Sequence, residues 1–230
     1  MTGSGRGVVR GLGELLITAG IVLLLFCVYQ LVWTNVEADR AQERVGDSIR
    51  EAWKQPDPGA TTGPDGIIRL SRSDFGKGFA FLHVPRLGRK YSVPVVQGVS
   101  LPDLTRGVGH YPKTAAPGAV GNFAVAGHRA TNGEPFANLD RVKRGDALVV
   151  ETRDTWFTYV VDRTAIVLPT DVSVIAPVPG KRGVKPTRKL ITLTTCDPRW
   201  GSTHRLIVYG HLTAEQDTAR GRPTVLAKGA

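Results

Sequence analysis

Residues 191–205 read ITLTTCDPRWGSTHR, and this stretch decides how the chain is interpreted. An apolar, β-branched run, typical of a buried strand, ends in Cys196, and Arg205 stands nine residues later at the start of another apolar run. Upstream, residues 122–128 read NFAVAGH, a strand-like run that ends in His128. A thiol, an imidazole and a guanidinium at the ends of such runs are the groups that thiol acyl transfer requires.

The chain has two cysteines, and Cys27 lies inside an apolar N-terminal run, so Cys196 is expected to be unpaired. Cys196 is either a reactive thiol or a small buried hydrophobe, and the nearby histidine and arginine favour the first interpretation. Arg199 is a second candidate for the catalytic cation. Asp197 is expected to turn outward at the start of a loop, because an inward carboxylate would oppose thiolate formation.

The part of the chain after residue 66 predicts an all-β domain. With 27 Gly and 15 Pro in 230 residues, short apolar runs are separated by turn signals, without a βαβ rhythm, which favours a closed barrel or a sandwich. The predicted strands are 79–84, 91–96, 122–126, 147–152, 156–167, 189–195 and 206–212. Residues 135–139 and 172–176 are predicted to form short helices.

The N-terminal run, residues 15–33, contains no charged residue and has the length of a membrane-spanning helix. Arg6 and Arg10 precede it, which predicts a cytoplasmic N-terminus and an exported C-terminal domain. A cleaved signal peptide is the alternative, but residues 34–37, TNVE, make a poor cleavage site.

The sequence divides into five predicted parts. Apolar residues at helical spacing between 45 and 53 predict a juxtamembrane helix, and residues 55–66, QPDPGATTGPDG, predict a linker. The parts are a cytoplasmic N-terminus (1–14), a transmembrane anchor (15–33), a juxtamembrane helix with linker (34–66), a catalytic domain (67–213) and a tail (214–230).

The net charge of +10 raises the question of nucleic-acid binding. No zinc-finger spacing, helix-turn-helix pattern or RNP-type motif accompanies the charge, and the Lys and Arg residues are scattered, so we expect no nucleic-acid partner. A basic surface facing an anionic cell envelope is the preferred interpretation. Clustered acidic residues and phosphate-binding glycine loops are not evident, so no metal and no cofactor are predicted.

Two sequence blocks resemble the sortases, the membrane-anchored cysteine transpeptidases of Gram-positive cell envelopes. Residues 109–129 read GHYPKTAAPGAVGNFAVAGHR, and residues 191–210 contain the L-x-T-C signature, followed by an arginine in the place expected for the family. The resemblance spans roughly residues 79–212, and the GHYP…APG pattern is similar to class E, the housekeeping type of high-GC Gram-positive bacteria. It implies an eight-stranded sortase β-barrel.

The resemblance also implies a role for each site residue. Cys196 is the nucleophile, His128 transfers protons, and Arg205 holds the substrate and stabilises the oxyanion. Thr195 is expected to line the donor side of the pocket. Tyr111 stands where class E sequences carry a tyrosine associated with a preference for Ala at the second motif position.

The implied function is cleavage of LAXTG-type sorting signals between Thr and Gly. The acyl group then passes from a thioester to an amino group of the peptidoglycan precursor. A pilin polymerase, with a lysine side chain as acceptor, is a variant of this hypothesis. A hydrolytic cysteine peptidase is the first alternative, and a non-catalytic module that binds anionic wall polymer is the second.

Overall fold

The computed structural model describes residues 3–55 and 77–227. Apart from Gln55, the predicted linker at 55–66 lies outside the described residues. The second described range folds into a closed barrel with the strand order β1-β2-β3-β4-β7-β8-β6-β5. The strands are β1 (Gly78–His83), β2 (Ser92–Gln97), β3 (Val108–His110), β4 (Gly121–Ala126), β5 (Ala147–Glu151), β6 (Thr155–Val167), β7 (Lys189–Asp197) and β8 (His204–Asp217).

The barrel confirms the predicted fold, and its walls follow from the alternation of side chains along each strand. In β7, Ile191 and Leu193 point into the barrel core, whereas Thr192 and Thr194 belong to the outer face. Cys196 follows Thr194 by two residues and therefore shares that outer face. Because each buried Leu or Ile contributes about 1.5–3 kcal/mol, this alternation strongly opposes a one-residue slip of the strand.

The sequence predicted seven of the strands and missed β3. With only three residues, Val108–His110, β3 is too short to show an alternating pattern. It is held by its neighbours instead, parallel to β2 and antiparallel to β4. This short strand completes the barrel wall beside β4.

The N-terminal helix α1 (Gly3–Trp53) runs without a break through the predicted anchor and the predicted juxtamembrane helix. It is long and apolar enough in its first half to cross a membrane, and no residue of that apolar window is buried. Its last part packs on the barrel, where Ile49 is 2% exposed. Arg50 donates two hydrogen bonds, of 2.5 and 2.7 Å, to the carboxylate of Glu151 at the end of β5.

Of the two predicted short helices, one is displaced and the other is present. Instead of a helix at 135–139, the chain makes turns and then a 3-10 helix at Leu139–Arg141, because Phe136 and Leu139 are drawn into the core. The predicted helix at 172–176 is a 3-10 helix, Val172–Ile175, which covers the outer face of the barrel.

The C-terminal region is ordered beyond the predicted boundary at residue 213. β8 continues to Asp217, paired with the first residues of β6, and a helical turn at Thr224–Ala227 follows. Leu226 of this turn packs against Val149 and Trp156. Residues 213–217 are largely exposed, so their sequence carries no apolar alternation although they form a strand.

Candidate active site

Cys196 and Arg205 lie directly opposite each other on β7 and β8. The two strands are antiparallel, and the register pairs Cys196 with Arg205. Side chains at opposite positions share one face of the sheet, with Cβ atoms about 4.5–5.5 Å apart. Both residues are partly exposed, so the thiol and the guanidinium both lie on the outer surface of the barrel. Nη1 of Arg205 donates to the carbonyl oxygens of Ser202 (3.0 Å) and His204 (2.8 Å), which orients its side chain.

His128 reaches the same place from the adjacent strand. β4 and β7 are parallel, with Ala126 opposite Thr194, and His128 and Cys196 each follow this pair by two residues. The amide of Gly127 still donates to the carbonyl of Thr194 at 3.1 Å. His128 is therefore the first residue after the last backbone hydrogen bond between the two strands. The topology therefore brings the three predicted catalytic residues together at one end of β4, β7 and β8.

The environment of His128 favours a neutral imidazole. Its ring is partly buried, and burial lowers its pKa below the ordinary value. The Nε2 atom is buried and makes no hydrogen bond to any described residue. A neutral ring with an unused nitrogen is able to accept a proton from a neighbouring group.

The backbone around His128 is shaped by the ring of Phe136. A Cβ on Gly127 would lie 2.6 Å from the Phe136 ring, so only glycine fits between the strand end and this ring. The amide of Phe136 donates to the carbonyl oxygen of His128 at 2.9 Å. The buried phenyl group thus sets the direction in which the chain leaves β4.

Thr195 has a different place from the one expected. It alternates with Cys196, is only 3% exposed, and donates its hydroxyl hydrogen to the carbonyl of Gly127 at 2.8 Å. Little of its surface is left for a substrate. Thr195, the residue before the thiol, is instead hydrogen-bonded to Gly127, the residue before His128.

Tyr111 lies on the face of β7 that carries Cys196. Its hydroxyl group is 3.0 Å from Oγ1 of Thr194, two residues from the thiol. Thr194 did not stand out in the sequence as a site residue. Because outward-facing residues recur every second position, the predicted strand itself is a signal that points to Thr194 as the neighbour of Cys196.

The rival cation Arg199 is engaged elsewhere. Its Nη2 donates to Glu134 at 2.9 Å, and its guanidinium lies 5.5 Å from the ring centre of Trp200. It stands in the loop between β7 and β8, whereas Arg205 occupies the register position opposite the thiol. The geometry favours Arg205 over Arg199.

Arg129, which the sequence interpretation did not single out, is part of the same end of the sheet. Its guanidinium is nearly buried, forms an ion pair with Asp197, and contacts Asp140 at 3.1 Å. Nη1 also donates to the carbonyl oxygen of Cys196 at 3.3 Å. The sequence contains a signal for this contact. The carboxylate of Asp197 next to the proposed thiolate needs a cation to neutralise it, and Arg129 directly follows the proposed catalytic histidine.

Within residues 3–55 and 77–227, no group of three or more His, Cys, Asp or Glu residues could hold a metal ion.

Comparison with known proteins gives consistent matches. A family model described as the sortase domain matches residues 82–213. Sortase SrtE1 of Streptomyces coelicolor is 40% identical over 225 residues, which cover 94% of this chain and 60% of that protein. The chain thus spans less than two thirds of the length of this curated relative.

Solved structures of similar proteins agree with the barrel. Sortase E from Streptomyces avermitilis is 46% identical, with a TM-score of 0.61, over 66% of this chain and 98% of that one. Sortase E1 from Streptomyces coelicolor, solved with a tripeptide in its active site, is 43% identical, with a TM-score of 0.60, over 66% of this chain and 97% of that one. These matches confirm the resemblance inferred from the two sequence blocks, including the similarity to class E.

Proposed function

This chain belongs to the sortase family, and we therefore propose that it is a membrane-anchored cysteine transpeptidase. It would cleave LAXTG-type sorting signals between Thr and Gly and transfer the protein to an amino group of the cell-wall precursor. The observation that carries the proposal is the register of the sheet: Cys196 lies opposite Arg205, with His128 at the same end of the adjacent strand.

The proposed reaction assigns one task to each side chain. His128 accepts the thiol proton, and Sγ of Cys196 attacks the carbonyl carbon of the signal threonine. Negative charge on the carbonyl oxygen develops beside the guanidinium of Arg205. His128 then gives its proton to the glycine nitrogen as the C–N bond breaks, which leaves a thioester.

The second half of the proposed reaction reverses these roles. An acceptor amine loses a proton to His128, attacks the thioester carbon and releases the thiolate of Cys196. The lowered pKa of His128 supports the two steps in which the imidazole accepts a proton, from the thiol and from the acceptor amine, because the ring must be neutral before each of them. Without an amine, water would resolve the same thioester.

Tyr111 supports the proposed class of donor peptide. Its hydroxyl group is held by Thr194 on the outer face of β7, close to the thiol, where it would contact residues of the signal on the N-terminal side of the scissile bond. By its resemblance to class E, this position favours Ala at the second position of the signal. Thr195 would act on the donor indirectly, through the hydroxyl that holds Gly127.

The first half of α1 supports the proposed location. Its apolar window, of mean hydropathy 2.5, is unburied and suits a single membrane crossing. Arg6 and Arg10 would keep the N-terminus in the cytoplasm, which would put the barrel outside the membrane, where wall precursors and secreted proteins meet.

The test uses the full-length chain in detergent micelles, incubated with a Leu-Ala-Glu-Thr-Gly peptide. Intact-mass spectrometry should detect a thioester adduct, absent in Cys196→Ala, that a small amine resolves faster than water does. An adduct that water alone resolves would identify a hydrolytic peptidase instead. A folded protein that forms no adduct with any sorting peptide would leave only the wall-polymer-binding alternative.

A further inference from the structure

Arg129 occupies a position that neither the acyl-transfer scheme nor the stability of the barrel core explains. We propose that Arg129 is a positioning residue that clamps the end of β7 to the turn after β4 and keeps the carboxylate of Asp197 away from the Cys196 thiol. This inference rests on the proposed role of Cys196 as the nucleophile.

Hydrogen bonds between the parallel strands β4 and β7 stop at the bond from Gly127 to Thr194. His128 and Cys196 both lie beyond that bond, where the ladder no longer fixes their separation. Side chains continue the connection: Thr195 reaches Gly127, and Arg129 reaches the carbonyl oxygen of Cys196 at 3.3 Å. Two parallel strand ends are thereby held together without further backbone pairing.

Asp197 directly follows Cys196, and an unpaired carboxylate in the residue next to the thiol would disfavour the thiolate. Arg129 forms an ion pair with Asp197 and has only 8% of its side chain exposed, so solvent screens the pair weakly. The carboxylate of Asp197 is thus held at the guanidinium of Arg129.

The other charged or titratable groups around the thiol do not replace this contact. Arg205 lies opposite Cys196, and the exposed His204 lies opposite Asp197. Asp140, on the 3-10 helix Leu139–Arg141, forms an ion pair with Nη2 of Arg129. Arg129 therefore bridges the turn after β4, the end of β7 and that 3-10 helix.

The experiment uses the full-length chain in detergent micelles, with Cys27→Ser as background so that Cys196 is the only thiol. Two quantities are measured for Arg129→Met: the pH midpoint of Cys196 alkylation by iodoacetamide, and kcat and KM with the Leu-Ala-Glu-Thr-Gly peptide. We expect the midpoint to rise by about one pH unit, as removal of a nearby cation predicts. We expect kcat to fall about tenfold to a hundredfold, with little change in KM, because a misplaced thiol slows the chemistry rather than binding.

The double variant Arg129→Met/Asp197→Asn separates the two parts of the clamp. Removing the unpaired carboxylate should return the alkylation midpoint to that of the background protein, while kcat recovers only in part, because the bond to the Cys196 carbonyl remains lost. Arg86→Met is the matched control, since Arg86 makes a two-pronged pair with Asp146 at distances of 2.9 and 2.6 Å before β5. This control should move neither the midpoint nor kcat.

An unmoved midpoint with unchanged kcat in folded Arg129→Met overturns the inference, as does an equal change in Arg86→Met. If Arg129→Met does not fold, Arg129→Lys carries the test, because a lysine keeps the charge but lacks the fork that reaches both Asp197 and the Cys196 carbonyl. A lower kcat at unchanged KM in this variant supports the clamp, and an unchanged kcat overturns it. The alkylation measurement needs no peptide. If the background protein forms no thioester, the proposed function fails, while the alkylation midpoints still decide whether Arg129 shields the thiol.

Discussion

Two histidines on adjacent strands contrast the proposed proton-transfer group with a group that stabilises the core. His128 follows β4 at the end of the sheet that carries Cys196 and Arg205, and its buried Nε2 has no partner among the described residues. His110 ends β3, is 1% exposed, and has both ring nitrogens engaged, by Gln97 on one side and by Thr114 and Ala115 on the other. Both lose basicity through burial, but only His128 retains an unused nitrogen.

The surroundings explain the difference. His110 is packed between the rings of Phe79 and Phe123, with ring centres 5.9 and 5.1 Å away, and burial lowers its pKa to about 4. Its hydrogen bonds therefore belong to a neutral ring that stays neutral at physiological pH. Partnered polar groups in a core specify structure, whereas an unpartnered one beside a thiol and a guanidinium is available for chemistry.

The largest expected effect is the loss of proton transfer. His128→Gln removes the ring nitrogen that transfers protons in the proposed mechanism, and we expect kcat/KM for the Leu-Ala-Glu-Thr-Gly peptide to fall about 10²–10⁴-fold. Peptide cleavage by the full-length chain, normalised to folded protein, measures it. Folded His110→Gln is the matched control and should remain within about threefold of the parent; equal losses in both variants would remove the distinction between the two histidines.

The second largest effect is expected at the proposed catalytic cation. Arg205→Lys keeps the charge but loses the planar fork that holds the carbonyls of Ser202 and His204 and would reach a developing oxyanion, so we expect kcat to fall about a hundredfold. Single-turnover formation of the thioester measures this step directly. Arg199→Lys, in the loop and paired with Glu134, should change it far less. A larger loss in Arg199→Lys would make Arg199 the catalytic cation.

The core histidine should dominate the pH dependence of stability. The folded pKa of His110 is about 4, below its ordinary value of 6.5, so between these values the unfolded chain binds a proton that the folded chain does not. Stability should therefore be full above about pH 6.5 and fall by on the order of 2–3 kcal/mol as the pH drops to 4. Urea unfolding followed by tryptophan fluorescence at several pH values measures it.

His110→Gln is expected to be less stable than the parent at pH 7, because partnered core atoms are lost, but to show a shallower decline towards pH 4. Parallel pH curves for the two proteins would mean that other groups cause the decline. His128 contributes with the same sign, since its pKa is also lowered.

The smallest effect should come from a single hydrogen bond of the core histidine. The hydroxyl group of Thr114 lies 2.9 Å from Nε2 of His110 and donates to the carbonyl of Tyr111 at 2.8 Å. Thr114→Val keeps the shape and removes both contacts, at a cost of about 1 kcal/mol in the free energy of unfolding. Urea unfolding at pH 7 checks this value, and no change would indicate that Ala115 alone is a sufficient partner for Nε2.

The sequence alone determined most strands and the three proposed catalytic residues. Long strands can be recognised in the sequence because one face is buried, so apolar residues recur at every second position, as at Ile191 and Leu193. Cys196, His128 and Arg205 stand at the ends of such runs, and their chemistry is a property of the residue types. The apolar run at 15–33 is equally visible, since a membrane helix requires only length and hydrophobicity.

Only the tertiary structure decided the contacts between distant segments. β3 exists because β2 and β4 pair with it, and Leu226 is ordered because it meets Trp156. The partners of Arg129 and the inward turn of Thr195 likewise depend on the parallel register of β4 and β7, which joins residues about 70 positions apart. Local patterns encode which face of a strand is buried; they do not encode which strand lies beside it.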